Sequence, residues 1–115
     1  MRGHNLVWPC DDDDCLSEDV PGLFSTLAAL KNRTDNHFVD ILNATGGKIA
    51  EWDVINEPSA NTRLSRVLGE DEMAAQLRLA HTLAPDARMV INDCGNLGEG
   101  DLDGEFKLSC AGCRR

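Results

Sequence analysis

The chain has 115 residues, enough for one small domain, and its 11 Lys and Arg residues against 20 Asp and Glu residues give a formal net charge of −9. Because this acidic balance repels phosphates, nucleic acids and anionic membranes are poor partners, whereas a neutral polymer such as a polysaccharide is compatible with it. The sequence lacks a run of about 18 apolar residues that could cross a membrane, and it does not open with the basic and apolar regions of a signal peptide.

The first half of the chain reads as a strand, a loop and a helix. Residues 4–8 (HNLVW) resemble a short buried strand that ends before Pro9, and residues 9–19 form a polar, acidic loop. From Pro21 onward the apolar residues recur at steps of three and four, which predicts an amphipathic helix that ends at the glycine pair 46–47. These apolar positions are Leu23, Leu27, Leu30, Phe38, Ile41 and Leu42.

The second half repeats the alternation. Residues 48–56 are apolar on both faces, as in a strand of a parallel sheet, and residues 59–69 form a loop. Residues 70–83 carry acidic groups in the first turn and one apolar stripe, which predicts a second helix. Residues 88–92 predict a third strand. Beyond it, residues 95–104 are rich in glycine and acidic residues and predict a loop, and the remainder has no clear pattern.

The order strand, helix, strand, helix, strand predicts an α/β fold with a parallel sheet and right-handed crossovers. In such sheets, functional groups collect beyond the carboxyl ends of the strands. Three ends are visible: Trp8, the pair Asn56-Glu57, and the pair Asn92-Asp93. The clustering of polar and aromatic groups at these ends distinguishes Glu57 from an ordinary glutamate in a turn before a proline.

The five cysteines leave several interpretations open. Cys10 and Cys15 flank four aspartates, and Cys110 and Cys113 form a CxxC pair. Two pairs could bind zinc, although one spacing is loose; a local disulfide between Cys10 and Cys15, or free thiols, fits at least as well. The aspartates lack the ligand spacing of a calcium loop and are typical of a solvated loop. We predict no metal and no cofactor.

Three motifs resemble one enzyme family. The stretches RGHNLVW (2–8), WDVINEP (52–58) and INDCGN (91–96) are similar in order and spacing to successive strand-end motifs of glycoside hydrolase family 10. That family comprises retaining endo-β-1,4-xylanases, which act on xylan and are built on a (β/α)8 barrel. The resemblance covers roughly residues 2–96. Since a barrel needs about 250 residues, it implies a fragment of a TIM barrel, about strands 3 to 5 with the intervening helices, over residues 1–98, and a divergent or unstructured tail over residues 99–115.

The resemblance also implies roles for individual residues. Glu57 corresponds to the acid/base glutamate, and Asn56 to an amide that contacts the sugar beside the scissile bond. His4 and Trp8 correspond to residues that line the sugar subsites, and Asn92 to a polar residue that closes the fifth strand. The substrate would be xylan or xylo-oligosaccharides, and the full-length context would be secreted.

The sequence departs from the family at several points. Pro9 stands where the family usually has a histidine, and Cys94 stands where it usually has an aromatic residue, so both changes should weaken sugar contacts. The family's nucleophile lies on the seventh strand, for which Glu99 and Glu105 are poor substitutes because neither follows a strand pattern. We therefore expect the isolated chain to be inactive, as a fragment of a xylanase.

Other interpretations accompany these roles. Trp52 is expected in the core, Asp53 as a structural partner for a neighbouring strand, and His37 and His81 as solvated or structural helix residues. Two other functions also remain open: a non-catalytic remnant that binds sugar through His4, Trp8 and Asn56, and a small Cys/Asp metal-binding module.

Overall fold

The protein forms a three-stranded parallel sheet whose strands lie in the order β1-β2-β3. The structure is a computed structural model and describes residues 1–69 and 71–93. The strands and α-helices are β1 (Arg2–Val7), α1 (Leu27–Thr45), β2 (Glu51–Asn56), α2 (Arg63–Leu68), α3 (Asp71–Leu83) and β3 (Arg88–Asn92). Two single 3₁₀ turns, Asp13–Cys15 and Pro21–Leu23, lie between β1 and α1. No helix in the described ranges is long and apolar enough to cross a membrane.

The central strand β2 pairs with β1 on one side and with β3 on the other, and α1 and α3 pack against the sheet. Five consecutive residues of β2, from Trp52 to Asn56, are buried, which explains why this strand shows no clean alternation of polar and apolar residues. The core joins residues of the sheet to residues of both long helices. Its buried members are Leu6, Phe38, Leu42, Trp52, Val54, Ile55, Ala80 and Ala87.

The predicted order of strands and helices is confirmed, but several bounds differ. The first strand is Arg2–Val7, so Trp8 follows the strand instead of ending it. The second begins at Glu51 and not at residue 48. Residues 48–50 instead form the connection between the turn at residues 46–47 and β2, and the amide of Lys48 donates to the carbonyl of Thr45.

The long helix α1 begins at Leu27 and not at Pro21. The segment Pro21–Leu23 forms only a 3₁₀ turn, and Thr26 has a non-helical backbone (φ −130°, ψ 87°) that separates this turn from the helix. Thr26 occupies the N-cap position without a capping hydrogen bond from its side chain, and the apolar periodicity continues upstream of it, so the sequence does not mark this start. The predicted end is confirmed: Gly46 adopts the left-handed conformation at φ +56°, where glycine carries no steric penalty.

The predicted loop over residues 59–69 contains the short helix α2. Its apolar side is anchored by Leu64, which is buried. One buried leucine in six residues is too little periodic signal to distinguish a helix from a loop. The third helix is described from Asp71 to Leu83, one residue after its predicted start, and β3 has the predicted bounds.

A disulfide joins Cys10 and Cys15, so the local pairing is the interpretation that the structure confirms for these two thiols. Trp52 lies in the core and His37 and His81 lie on helices, as predicted. The predicted loop over residues 95–104 and the predicted tail over residues 99–115 lie outside the described residues. The same holds for Cys94, Glu99, Glu105, Cys110 and Cys113.

Candidate active site

The carboxyl ends of β2 and β3 meet through the residues that the sequence singled out. The Nδ2 group of Asn92 donates a hydrogen bond to Oδ1 of Asn56 at 2.6 Å, and the backbone amide of Glu57 donates to the carbonyl of Asn92 at 2.6 Å. Asn56 is buried, while Glu57 is half-buried and follows the strand directly. The sheet therefore brings three of the five predicted site residues together at the carboxyl end of its strands.

The turn that carries Glu57 is held by many hydrogen bonds. Glu57 has φ +52°, an uncommon conformation for a residue with a side chain. Its carbonyl accepts from the amides of Ala60 (3.2 Å) and Asn61 (3.0 Å) and from Nδ2 of Asn61 (3.3 Å). Ser59 Oγ donates to Oδ1 of Asp93 at 2.6 Å, which ties the turn to the end of β3. These contacts hold the backbone of Glu57, and with it the direction of its Cα–Cβ bond.

His4 belongs to a second group of polar contacts, between β1 and β2. Its Nδ1 atom lies 2.9 Å from Oδ2 of Asp53, and Nε of Arg2 lies 3.0 Å and 3.1 Å from the two oxygens of the same carboxylate. Asp53 is buried, with 3% of its surface exposed. Burial raises the pKa of Asp53, but the hydrogen bonds from Arg2 and His4 outweigh it and hold that pKa below its ordinary value.

The ionised state of Asp53 determines which ring nitrogen of His4 carries the proton in their shared hydrogen bond. A carboxylate without its proton can only accept hydrogen bonds, so Nδ1 of His4 carries the shared proton. The Nε2 atom is then the ring nitrogen available to a ligand, and the side chain of His4 is 55% exposed. Asp53 thus acts as the structural partner on a neighbouring strand that the sequence predicted.

Trp8 follows β1 at the same end of the sheet and is 41% exposed. It lines a surface groove between β1, the disulfide-closed loop and α1. An exposed indole offers an apolar face on which a ring can stack. Trp8 lies one residue beyond β1, at the start of the segment that leads to the disulfide-bonded Cys10.

Three contacts at the site were not predicted from the sequence. These are the guanidinium of Arg2 on Asp53, the Asn61 contacts to the carbonyl of Glu57, and the Ser59 contact to Asp93. Ser59 and Asn61 stand in an ordinary polar loop, so no local signal marks them. Arg2 could have been found by asking which cation compensates a buried Asp53 on the neighbouring strand.

No metal-binding arrangement is evident within the described part of the chain. Residues 1–69 and 71–93 contain no group of three His, Cys, Asp or Glu side chains that could hold an ion. Cys10 and Cys15 are joined to each other, so neither offers the thiolate that zinc requires. The metal-binding interpretation therefore has no support among these residues.

Comparison with known proteins points to one family. The family described as Glycosyl hydrolase family 10 matches residues 1–101. Endo-1,4-beta-xylanase B of Paenibacillus barcinonensis is 29% identical over 101 residues, which cover 81% of this chain and 30% of that protein. Endo-1,4-beta-xylanase A of Xylanibacter ruminicola is 29% identical over 124 residues, which cover 99% of this chain and 34% of that protein.

Solved structures agree with these matches. The structure of a GH10 protein from Paenibacillus barcinonensis superposes with a TM-score of 0.64 at 27% identity and covers 80% of this chain and 32% of that one. A GH10 endoxylanase from a sugarcane soil metagenome superposes with a TM-score of 0.62 at 27% identity and covers 80% of this chain and 28% of that one. The chain thus spans about a third of the length of the relatives that it matches.

Proposed function

The chain belongs to glycosyl hydrolase family 10, and from this membership we propose that it carries the acid/base half of an endo-1,4-β-xylanase active site. The three parallel strands with their helices are consistent with part of a (β/α)8 barrel, and we assign them to strands 3 to 5. The substrate is the internal β-1,4 linkage of xylan, an uncharged backbone that suits the net charge of −9. The disulfide between Cys10 and Cys15 fits an extracellular location.

The observation that carries the proposal is the position of Glu57. It follows a buried parallel strand directly, at the edge where β2 and β3 end, and its turn is fixed by hydrogen bonds to both neighbouring segments. In that role its carboxylic acid protonates the leaving oxygen, and its carboxylate then takes a proton from the attacking water. Asn92 occupies Oδ1 of Asn56, so the Nδ2 group of Asn56 is the donor that meets a sugar hydroxyl.

A retaining mechanism requires a second carboxylate about 5–5.5 Å from the first, which attacks the anomeric carbon. We assign the nucleophile to a strand outside the described residues, since both carboxylate oxygens of Asp53 are already bonded, to Arg2 and to His4. The described segment alone is therefore proposed to be inactive. His4 and Trp8 are the other sugar-binding residues that we assign to this segment: Nε2 of His4 faces a hydroxyl, and the indole of Trp8 faces a sugar ring.

A chimera tests the assignment of Glu57. Residues 1–93 replace the matching segment of the Paenibacillus barcinonensis xylanase, and release of reducing ends from xylan is measured. Glu57→Gln should lower this rate by about 10²–10⁴-fold, the range for losing a general acid. Aryl xylosides, whose leaving groups need little protonation, should be affected far less in the glycosylation step.

The matched control is Glu18→Gln in the same chimera, because Glu18 is exposed in the loop before α1. It should leave the rate on xylan unchanged. Equal rates for the parent chimera and Glu57→Gln would remove Glu57 from the acid/base role.

One observation also favours sugar binding without turnover, namely that the indole of Trp8 and the ring of His4, on or directly after β1, are both exposed. Under this second proposal, xylohexaose added to the chain itself should quench or shift the emission of Trp8, with no release of reducing ends. A response that persists in Trp8→Phe would assign the change to Trp52 and contradict the second proposal.

A further inference from the structure

The loop closed by the disulfide, residues 10–15 (hereafter the acidic loop), is docked onto the segment that follows Glu57. The amide of Asp11 donates to Oδ1 of Asn61 at 3.3 Å, and the amide of Arg63 donates to Oδ1 of Asp11 at 2.8 Å. These contacts join positions about fifty residues apart in the sequence. The family motifs account for neither partner, because both segments lie outside them.

Arg63 adds further contacts to the same junction. Its guanidinium pairs with the carboxylate of Asp13, and its Nη1 atom lies 3.4 Å from the carbonyl oxygen of Asp11. The guanidinium carbon also lies 4.2 Å from the centroid of the Phe24 ring, so the cation is held between acidic groups and an aromatic face. Two of the four aspartates, Asp11 and Asp13, thus have a basic partner within the chain.

Asn61 contacts both loops that border the candidate site. Its Oδ1 accepts from the acidic loop at the amide of Asp11, while its backbone amide and its Nδ2 group both donate to the carbonyl of Glu57. Trp8 lies three residues before Asp11, separated from it only by Pro9 and Cys10. The side chain of Asn61 therefore connects the acidic loop, which follows the proposed stacking residue Trp8, to the turn that carries the proposed acid Glu57.

We propose that Asn61 is a positioning residue that fixes the Glu57 turn relative to the disulfide-closed acidic loop. An amide suits this role because a single group presents both an acceptor and a donor, and Asn61 uses both. The disulfide limits the conformations of the acidic loop, and Asn61 transmits that constraint to the carbonyl of Glu57. Opening the disulfide should therefore alter the surroundings of Glu57 although the two sites share no covalent link nearby.

The catalytic meaning of this connection rests on the proposed function, but the connection itself requires neither substrate nor turnover. Its test is accordingly made on the chain without sugar, so that failure of the xylanase assignment and failure of this inference give different results. The readouts are three ¹H–¹⁵N signals: the backbone amide of Glu57, the indole of Trp8, and the indole of Trp52. The buried Trp52 indole reports whether the core is intact.

The experiment is a double-mutant cycle. Replacing both cysteines (Cys10→Ser with Cys15→Ser) opens the acidic loop and should shift the Glu57 amide and the Trp8 indole while leaving Trp52 in place. In an Asn61→Ala background, the same opening should shift the Glu57 amide by less than about half as much, since coupled residues give non-additive effects. The matched control background is Asn43→Ala, in which the exposed asparagine of α1 is removed and the full shift should remain.

Two results would overturn the inference. One is an undiminished shift of Glu57 in the Asn61→Ala background; the other is a Glu57 signal that does not respond to opening the loop. If Asn61→Ala displaces the Trp52 indole and so perturbs the core, Asn61→Leu replaces it. This variant keeps the side-chain size without the polar atoms, and the same two criteria decide.

Discussion

Gly3 offers the sharpest test of how the sheet is packed beneath the site. An ideal Cβ built on Gly3 would lie 2.4 Å from both Cε3 and Cζ3 of Trp52 and 2.7 Å from Cδ2. Carbon atoms do not approach this closely, so Gly3→Ala requires the indole or the strand to move. Trp52 is only 6% exposed and packs in the core, which leaves the ring little room. We expect Gly3→Ala to lower the free energy of unfolding by about 1–3 kcal/mol, the usual cost of overpacking.

Urea unfolding followed by circular dichroism measures this cost, with Gly22→Ala as the matched control. A Cβ at Gly22 meets nothing within 4 Å, and its backbone does not require a positive φ. The control should be neutral or stabilising by about 0.4–1 kcal/mol, because alanine restricts the unfolded chain. With a slope of about 1–3 kcal/mol per molar urea, the midpoints of the two variants should differ by about 1 M. Coincident midpoints would refute the contact between Gly3 and Trp52.

Three further predictions concern the site and its loop. Because the pKa of Asp53 is lowered in the folded chain, Asp53 stabilises the fold above its unfolded pKa near 4 and loses this contribution as the pH falls through the lower folded value. Asp53→Asn should therefore flatten the curve of unfolding free energy against pH in that window, and an unchanged curve would contradict the assigned contacts. Replacing Cys10 and Cys15 by serine should lower the free energy of unfolding by about 2 kcal/mol, the chain-entropy value for so short a loop, and equal thermal midpoints would show that the disulfide adds nothing. Glu57→Gly should raise the free energy of unfolding by up to about 1 kcal/mol, because glycine accepts φ +52° without strain, while abolishing xylan hydrolysis in the chimera; a loss of stability would contradict the assigned backbone conformation.

The sequence predicts those parts of the fold that are governed by short-range rules. The strand Arg88–Asn92 is predicted with its observed bounds, and the end of α1 is predicted because Gly46 adopts the left-handed conformation there. The start of α1 is missed since the apolar period continues upstream of the helix through Leu23, whereas the N-cap at Thr26 gives only a weak signal. The helix α2 is missed because its only buried residue is Leu64.

The candidate site divides in the same way. The pair Asn56-Glu57 is predictable because a polar pair directly after a buried strand stands out, and the motif around it is specific. The contacts that orient the site are not predictable, since they join residues far apart in the sequence, such as Arg2 with Asp53 and Asn61 with Asp11. Strand register decides the first of these pairs and loop docking the second. Neither is encoded in a local pattern.

One face of the sheet carries charged side chains whose arrangement is compatible with burial. Arg2, Glu51 and Arg88 are register partners across the three strands, and Glu51 pairs with both arginines. Asp53 pairs with Arg2 and with His4. On this face, Arg2, His4 and Arg88 are at present about half or more exposed.

Closure of a barrel would turn that face inward, and burying a charge without a partner is costly. Each of these charged groups already has a partner within the three strands, so closure would bury none of them unpaired. Strands β1 and β3 lie at the two edges of the described sheet and would pair with the strands that complete the barrel. The pairing of these charged groups within the three strands is therefore consistent with a partial barrel of the family to which the chain belongs.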